Sequence, residues 1–152
     1  KRTTGEPANF EGVWTTRQCD SRAPERECGI FTLYLTQDGE RICGRHFAAT
    51  PGLGKLEESD PGSVLGTHSG NKAFLFVANS RTGSKELVVV ERIPSDLKWH
   101  VVGPVVSGDQ PWDNIILQNA ALERDTSEHV GTEMEHLRQD CRWPDTRTEE
   151  QM

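Results

Sequence analysis

The stretch Ile30-Phe31-Thr32-Leu33-Tyr34-Leu35-Thr36-Gln37-Asp38-Gly39-Glu40-Arg41-Ile42-Cys43-Gly44-Arg45-His46-Phe47-Ala48 decides the fold class. Its first half alternates, with Phe31, Leu33 and Leu35 on one face, which is the period of a half-buried strand. Asp38-Gly39 follows, the pair best suited to the positive backbone angles of a tight hairpin turn. Arg41 to Ala48 then reads as the return strand. An antiparallel hairpin is the unit from which the rest is read.

The same grammar continues on both sides of it. Phe10 to Thr16, around Gly12-Val13-Trp14, reads as an opening strand. Downstream come Ser63 to His68, a turn at Gly70-Asn71, and Ala73 to Ala78. Arg81-Thr82-Gly83-Ser84 makes another turn before Glu86 to Glu91. Pro94-Ser95-Asp96 breaks that run, and Leu97 to Val102 resumes with Leu97, Trp99 and Val101 on one face. Seven strands joined by short turns are expected, with Asn119 to Glu123 a candidate eighth, a pattern that predicts an up-and-down antiparallel meander closed as a barrel or stacked as a sandwich. Phe31, Leu33, Phe74, Phe76 and Trp99 are the bulky side chains expected inside. Thr50 to Gly62 and Gly103 to Trp112 read as loops.

The strands around Leu75 and Val89 are apolar on both faces, which calls for a cover on the second face. The C-terminal region offers one. Asp125 with Glu128 marks a helix start, and Val130, Met134, Leu137 and Cys141 recur at helical spacing. A helix over about 126–141 is expected, ended by Trp143-Pro144. One β domain over 1–144 with a flexible tail over 145–152 follows from this reading.

Four cysteines, Cys19, Cys28, Cys43 and Cys141, contain no C-x-x-C pair and no zinc-knuckle spacing. An even count in a small polar chain predicts two disulfides and an oxidising compartment. Three connectivities are open. One of them joins Cys19 to Cys28 across a polar loop and leaves Cys43 for Cys141.

Charge narrows the function. The 152 residues carry 24 acidic and 17 basic side chains, a formal net charge of −7. Binding to a phosphate backbone needs clustered Lys and Arg, so no nucleic-acid partner is expected. A cationic protein would be attracted. No apolar run approaches the ~20 residues of a membrane-spanning helix, so no membrane insertion is expected. The first residue, Lys1, suits a chain whose leader has been removed.

Catalytic grammar is sparse. His129, Glu133 and His136 share a helix face but lack the H-E-x-x-H order, so no metal is expected there. His46, His68 and His100 fall on three strands with no nucleophile motif beside them. The glycines between 52 and 70 never form a strand-to-helix phosphate loop. Neither a cofactor nor an enzymatic activity is expected.

Gly12-x-Trp14 followed by a β meander and a late helix resembles the opening of lipocalin-like (calycin) barrels. More widely, Gly12-x-Trp14, Cys19, Cys28-Gly29-x-Phe31-x-Leu33-x-Leu35, Gln37-x-Gly39, Ile42-Cys43-Gly44, Gly66-Thr67 and Leu97-x-Trp99 resemble small envelope proteins of Gram-negative bacteria over Gly12 to Val102. That resemblance implies a periplasmic or secreted setting. Small acidic β proteins there resemble inhibitors: periplasmic lysozyme inhibitors, or immunity proteins against toxins delivered through secretion systems. The implied partner is a cationic effector or cell-wall hydrolase. The contact candidates are the acidic loop Leu53 to Ser63, with Glu57, Glu58 and Asp60, and the Cys19–Cys28 loop, with Arg22 and Glu25. The alternative is a lipocalin-like carrier of a small apolar ligand, which needs an open cavity. An enzyme whose site is not legible in the sequence is a third possibility.

Overall fold

The computed structural model describes residues 9–141 and Trp143. Nine strands and one helix follow in order: β1 (Gly12–Gln18), β2 (Gly29–Asp38), β3 (Arg41–Ala49), β4 (Leu56–Glu58), β5 (Val64–Ser69), β6 (Lys72–Ala78), β7 (Lys85–Ile93), β8 (Asp96–Val106), β9 (Asn119–Arg124) and α1 (Val130–Asp140). The tail expected over 145–152, and Pro144 before it, lie outside the described residues.

Each strand except β4 pairs antiparallel with its neighbours around the ring β1-β2-β3-β5-β6-β7-β8-β9, and β9 returns to β1. The result is a closed eight-stranded up-and-down barrel. The closing seam is short, with Trp14 opposite Arg124 and Thr15 opposite Glu123. Hairpin grammar explains the rest: Gly39 takes φ 62° at the β2–β3 turn, where a Cβ would be strained.

β4 is a ninth strand that the loop reading did not anticipate. It pairs with Phe47 to Ala49 of β3, while β5 pairs with Arg41 to Gly44 of the same strand. Between the two, Ser59 stands in for the missing ladder partner. Its Oγ accepts the His46 main-chain N–H at 2.9 Å and donates to the His46 carbonyl at 2.7 Å. β8 also runs four residues past Val102, into the segment expected to be a loop.

Alternation fills the interior from every wall. Trp14, Phe31, Leu33, Leu75, Val90, Leu97, Trp99 and Leu122 are fully buried together. Phe31 and Trp99 stack at 4.8 Å between ring centroids. Two expectations for β6 are corrected. Ala73, Leu75 and Val77 point inward, so Phe74 and Phe76 point outward and are 45% and 46% exposed. Period 2 allows either set inside when both are apolar, and here the smaller set fits the barrel.

The helix does not roof that outer face. It covers Val13 of β1, Tyr34 of β2 and Cys43 of β3 with Met134, Leu137 and Cys141. It begins at Val130, later than expected, because Asp125 closes a turn of its own onto the Ser127 N–H and hydroxyl. Cys43 is bonded to Cys141 and Cys19 to Cys28, and no described cysteine is free. Two disulfides suit an extracytoplasmic protein. No described helix is long and apolar enough to cross a membrane.

The Gly12-x-Trp14 opening closes one end of the barrel. Arg92 and Arg124 lie over the Trp14 ring, at 4.9 and 4.2 Å from its centroid. A Cβ on Gly12 would approach Arg124 Nη1 to 2.4 Å, and the backbone there has φ +145°. The backbone angle calls for glycine at that position, and a side chain there would also push Arg124 aside.

Candidate functional site

In an up-and-down barrel alternate connections share a rim. Here the tight turns β2–β3, β5–β6 and β7–β8 gather at one end. The long connections, 19–28, 50–63, 79–84 and 107–118, gather at the other. Both loops singled out in the sequence therefore meet at one surface, and hydrogen bonds join them. The Gly52 N–H donates to the Glu27 carbonyl at 2.7 Å, and Arg26 Nη2 donates to the Pro51 carbonyl at 3.0 Å.

The tip at Thr50 to Lys55 is held from within as well. Thr50 N–H donates to the Lys55 carbonyl, Lys55 N–H to Thr50 Oγ1, and Leu53 N–H to the Thr50 carbonyl. Leu53 is the one non-glycine described residue at positive φ, 59°, and its side chain is 43% exposed. A left-handed backbone under a branched apolar side chain costs roughly 1–2 kcal/mol. Exposing that side chain gains nothing within the folded chain. Such strain persists where the surroundings over-determine it, and it concentrates at binding surfaces.

Arg81 ties the neighbouring loops to this tip. Its Nη1 donates to the Leu56 carbonyl at 3.0 Å, and its Nη2 bridges to Asp113 at 2.8 Å. The hydrogen bond from Arg81, helped by Lys55, holds the Asp113 carboxyl below the usual aspartate range. Beside Asp113, Trp112 is 78% exposed. Leu56 is a further exposed apolar residue of this rim.

Of the residues expected to meet a partner, Arg22, Glu25 and Glu58 are exposed on this rim, while Asp60 is exposed beside α1, in a cleft it shares with Arg45, Glu133 and His136. Glu57 departs from that expectation. It is 1% exposed, and β4 alternates in an inverted sense, with Leu56 and Glu58 outward and Glu57 inward. Its Oε2 meets His46 Nε2 at 2.8 Å and accepts the Ser80 N–H at 2.9 Å; its Oε1 accepts the Arg81 N–H at 3.2 Å. Burial works to raise its pKa, but the His46 ring and the Ser80 N–H outweigh it, and the carboxyl is held below its ordinary value.

On the other side of the imidazole, His46 Nδ1 lies 3.0 Å from Ser63 Oγ and 3.2 Å from Ser59 Oγ. The sequence showed no nucleophile beside His46, because these serines lie 13 and 17 residues away. The ring and carboxylate are sealed, and Ser59 is engaged by the main chain of β3. The network fastens the β3–β5 connection to the 79–84 loop.

The other histidines disperse. His68 Nε2 lies 3.0 Å from the Gly39 carbonyl, at the tight-turn end, and His100 meets Asn119 on the outer wall. On α1, Glu133 pairs with Arg45 while His129 lies 3.8 Å from Asp125. Among the described residues no three His, Cys, Asp or Glu side chains converge as metal ligands.

No family model matches the chain, and neither a curated protein nor a solved structure matches it.

Proposed function

We propose that this protein is a periplasmic binding protein that inhibits a cationic partner, either as an immunity protein against a delivered toxin or as a lysozyme-type inhibitor. The long-loop rim is its contact surface. The observation that carries this reading is Leu53, an exposed apolar side chain on a strained backbone that a disulfide-bonded neighbour holds rigid.

A loop already fixed in its bound shape loses little entropy on docking. Leu53 and Trp112 supply apolar anchors of the kind that dominate interfaces. Around them Glu25 and Glu58 supply negative charge, with Asp60 further along the wall beside α1, and the net charge of the chain adds long-range attraction toward a basic cleft. The barrel interior is filled by Trp14, Phe31, Leu33 and Trp99, which weighs against a carrier that holds an apolar ligand at the barrel centre. The His46 network reads as structural, since its ring is sealed and its partners are engaged.

The test immobilises the whole chain and exposes it at low salt to envelope extract, secreted toxins and a panel of cationic lysozymes, with peptidoglycan lysis as the activity readout. The expected result is capture and inhibition of one cationic protein, weakening as salt rises. Loss of neither lysis nor toxin activity, with nothing captured at low salt, sinks the reading. Covalent labelling of Ser63 by a serine-directed phosphonate would replace it with a hydrolase.

A further inference from the structure

The β7–β8 ladder is irregular next to the long-loop rim. Its register shifts between Lys85 and Glu86 and again between Leu87 and Val88, opposite Pro104 and Gly103. Bulges at barrel rims re-aim side chains and part the strands. Here they accompany a cavity of about 310 Å³ lined by Ser84, Glu86, Gly103, Pro104, Gly108 and Gln118, among others.

Glu86 occupies an inward position of β7, continuing the buried row of Val88 and Val90. It is 8% exposed. Its Oε2 accepts the Ser84 hydroxyl at 2.8 Å, and that hydroxyl in turn lies 2.6 Å from Thr82 Oγ1. Among the described residues no Lys, Arg or His pairs with Glu86. Contrast Glu57, a carboxylate sealed more tightly still, which has an imidazole and two main-chain donors. Glu86 thus presents to the cavity a carboxylate whose one protein donor is a neutral hydroxyl, an acceptor that a cationic donor entering the cavity would complete.

We propose that this cavity is a binding site for one organic cation, a guanidinium or primary ammonium group on a slim aliphatic stem. Its acceptors suit that chemistry: one carboxylate surrounded by neutral hydroxyl and amide oxygens can take the several N–H donors of such a group. Pro104 and the two glycines leave room and apolar surface for the stem. A calcium or magnesium ion would ask for more converging oxygens than one carboxylate brings. The site stands on the cavity and on Glu86, and it holds whether or not the rim binds a protein.

The experiment is an NMR titration of the ¹⁵N-labelled whole chain with agmatine, with N-acetyl-arginine amide, and with urea as the uncharged control of similar shape. Saturable shifts of the Ser84, Gly103, Gly108 and Gln118 amides with both cations, and none with urea, are expected. The isosteric Glu86→Gln weakens the binding about tenfold or more. Ser107→Trp, which fills the cavity from its exposed lip without touching the carboxylate, blocks it independently of any effect of Glu86→Gln on folding. Tighter binding of the blocked arginine points to a side chain of a protein as the natural occupant; tighter binding of agmatine points to a free amine. Absence of saturable shifts at millimolar cation, or shifts unchanged in Glu86→Gln, overturns the proposal.

Discussion

The Glu57 carboxylate receives three donors at once, from His46, Ser80 and Arg81, in a place closed to water. Truncating it to Ala strands the imidazole Nε2 and the Ser80 N–H, while the Arg81 N–H keeps Asn79 Oδ1; removing one side of such a buried pair costs about 3–5 kcal/mol. Urea denaturation of Glu57→Ala is expected to give a correspondingly lower midpoint. The acid response has a definite sign. Because the folded pKa lies below the ordinary glutamate value of 4.5, the stabilisation is complete above that value and is lost as pH falls through the folded one. Stability measured from pH 6 downward therefore declines below about pH 4.5 in the native chain, and Glu57→Gln flattens that decline. Nothing in the sequence distinguished Glu57 from Glu58. Both belong to an acidic run between glycines and prolines, and only the inverted alternation of β4 sends one of them inward.

The helix is the element most dependent on a bond to the rest. α1 has 11 residues and no side-chain cap at its N-terminus, and it buries Met134 and Leu137. A helix of that length is marginal in isolation. Arg45 adds a hold by stacking 3.8 Å over Tyr34 and pairing with Glu133 at 3.2 Å. Burial beneath the helix pushes the Tyr34 phenol above its usual pKa. The Cys43–Cys141 bond closes a loop of 98 residues, and the entropic account assigns about 4–5 kcal/mol to such a closure. Replacing both cysteines by Ala is expected to lower stability by that order. In hydrogen exchange the amides of Val130 to Asp140 lose protection first, while those of β6 and β7 keep theirs; equal loss across both would refute the assignment. The helical period of Val130, Met134 and Leu137 was legible because it is local. Which wall the helix covers was not, since that depends on where Cys43 stands around the barrel.

At the scale of the whole molecule, the sequence disclosed the strands joined by tight turns and was nearly silent on the opposite rim. Turns of two residues carry their own chemistry, as Gly39 does. A rim built from four long connections is defined instead by hydrogen bonds between residues distant in the chain, such as Gly52 to Glu27 and Arg81 to Leu56. Barrel closure is equally non-local, resting on the short β1–β9 seam. The two ends thus divide the work: tight turns and the Trp14 stack close one, and the other holds strain and exposed apolar side chains in a fixed arrangement. That division makes a prediction about Leu53. Glycine there relieves a left-handed backbone worth roughly 1–2 kcal/mol and returns about 0.5–1 kcal/mol through the freer unfolded chain. Leu53→Gly is therefore expected to be as stable as the native protein, or more stable by up to about 1.5 kcal/mol, despite losing an apolar side chain. If the rim is the contact surface, the same change removes an anchor and loosens the tip, so capture of the cationic partner falls at least about tenfold. Stability rising while binding falls is the pattern of a residue kept for contact with another molecule. A variant that binds as before, or that unfolds more readily, would show that Leu53 serves the barrel itself.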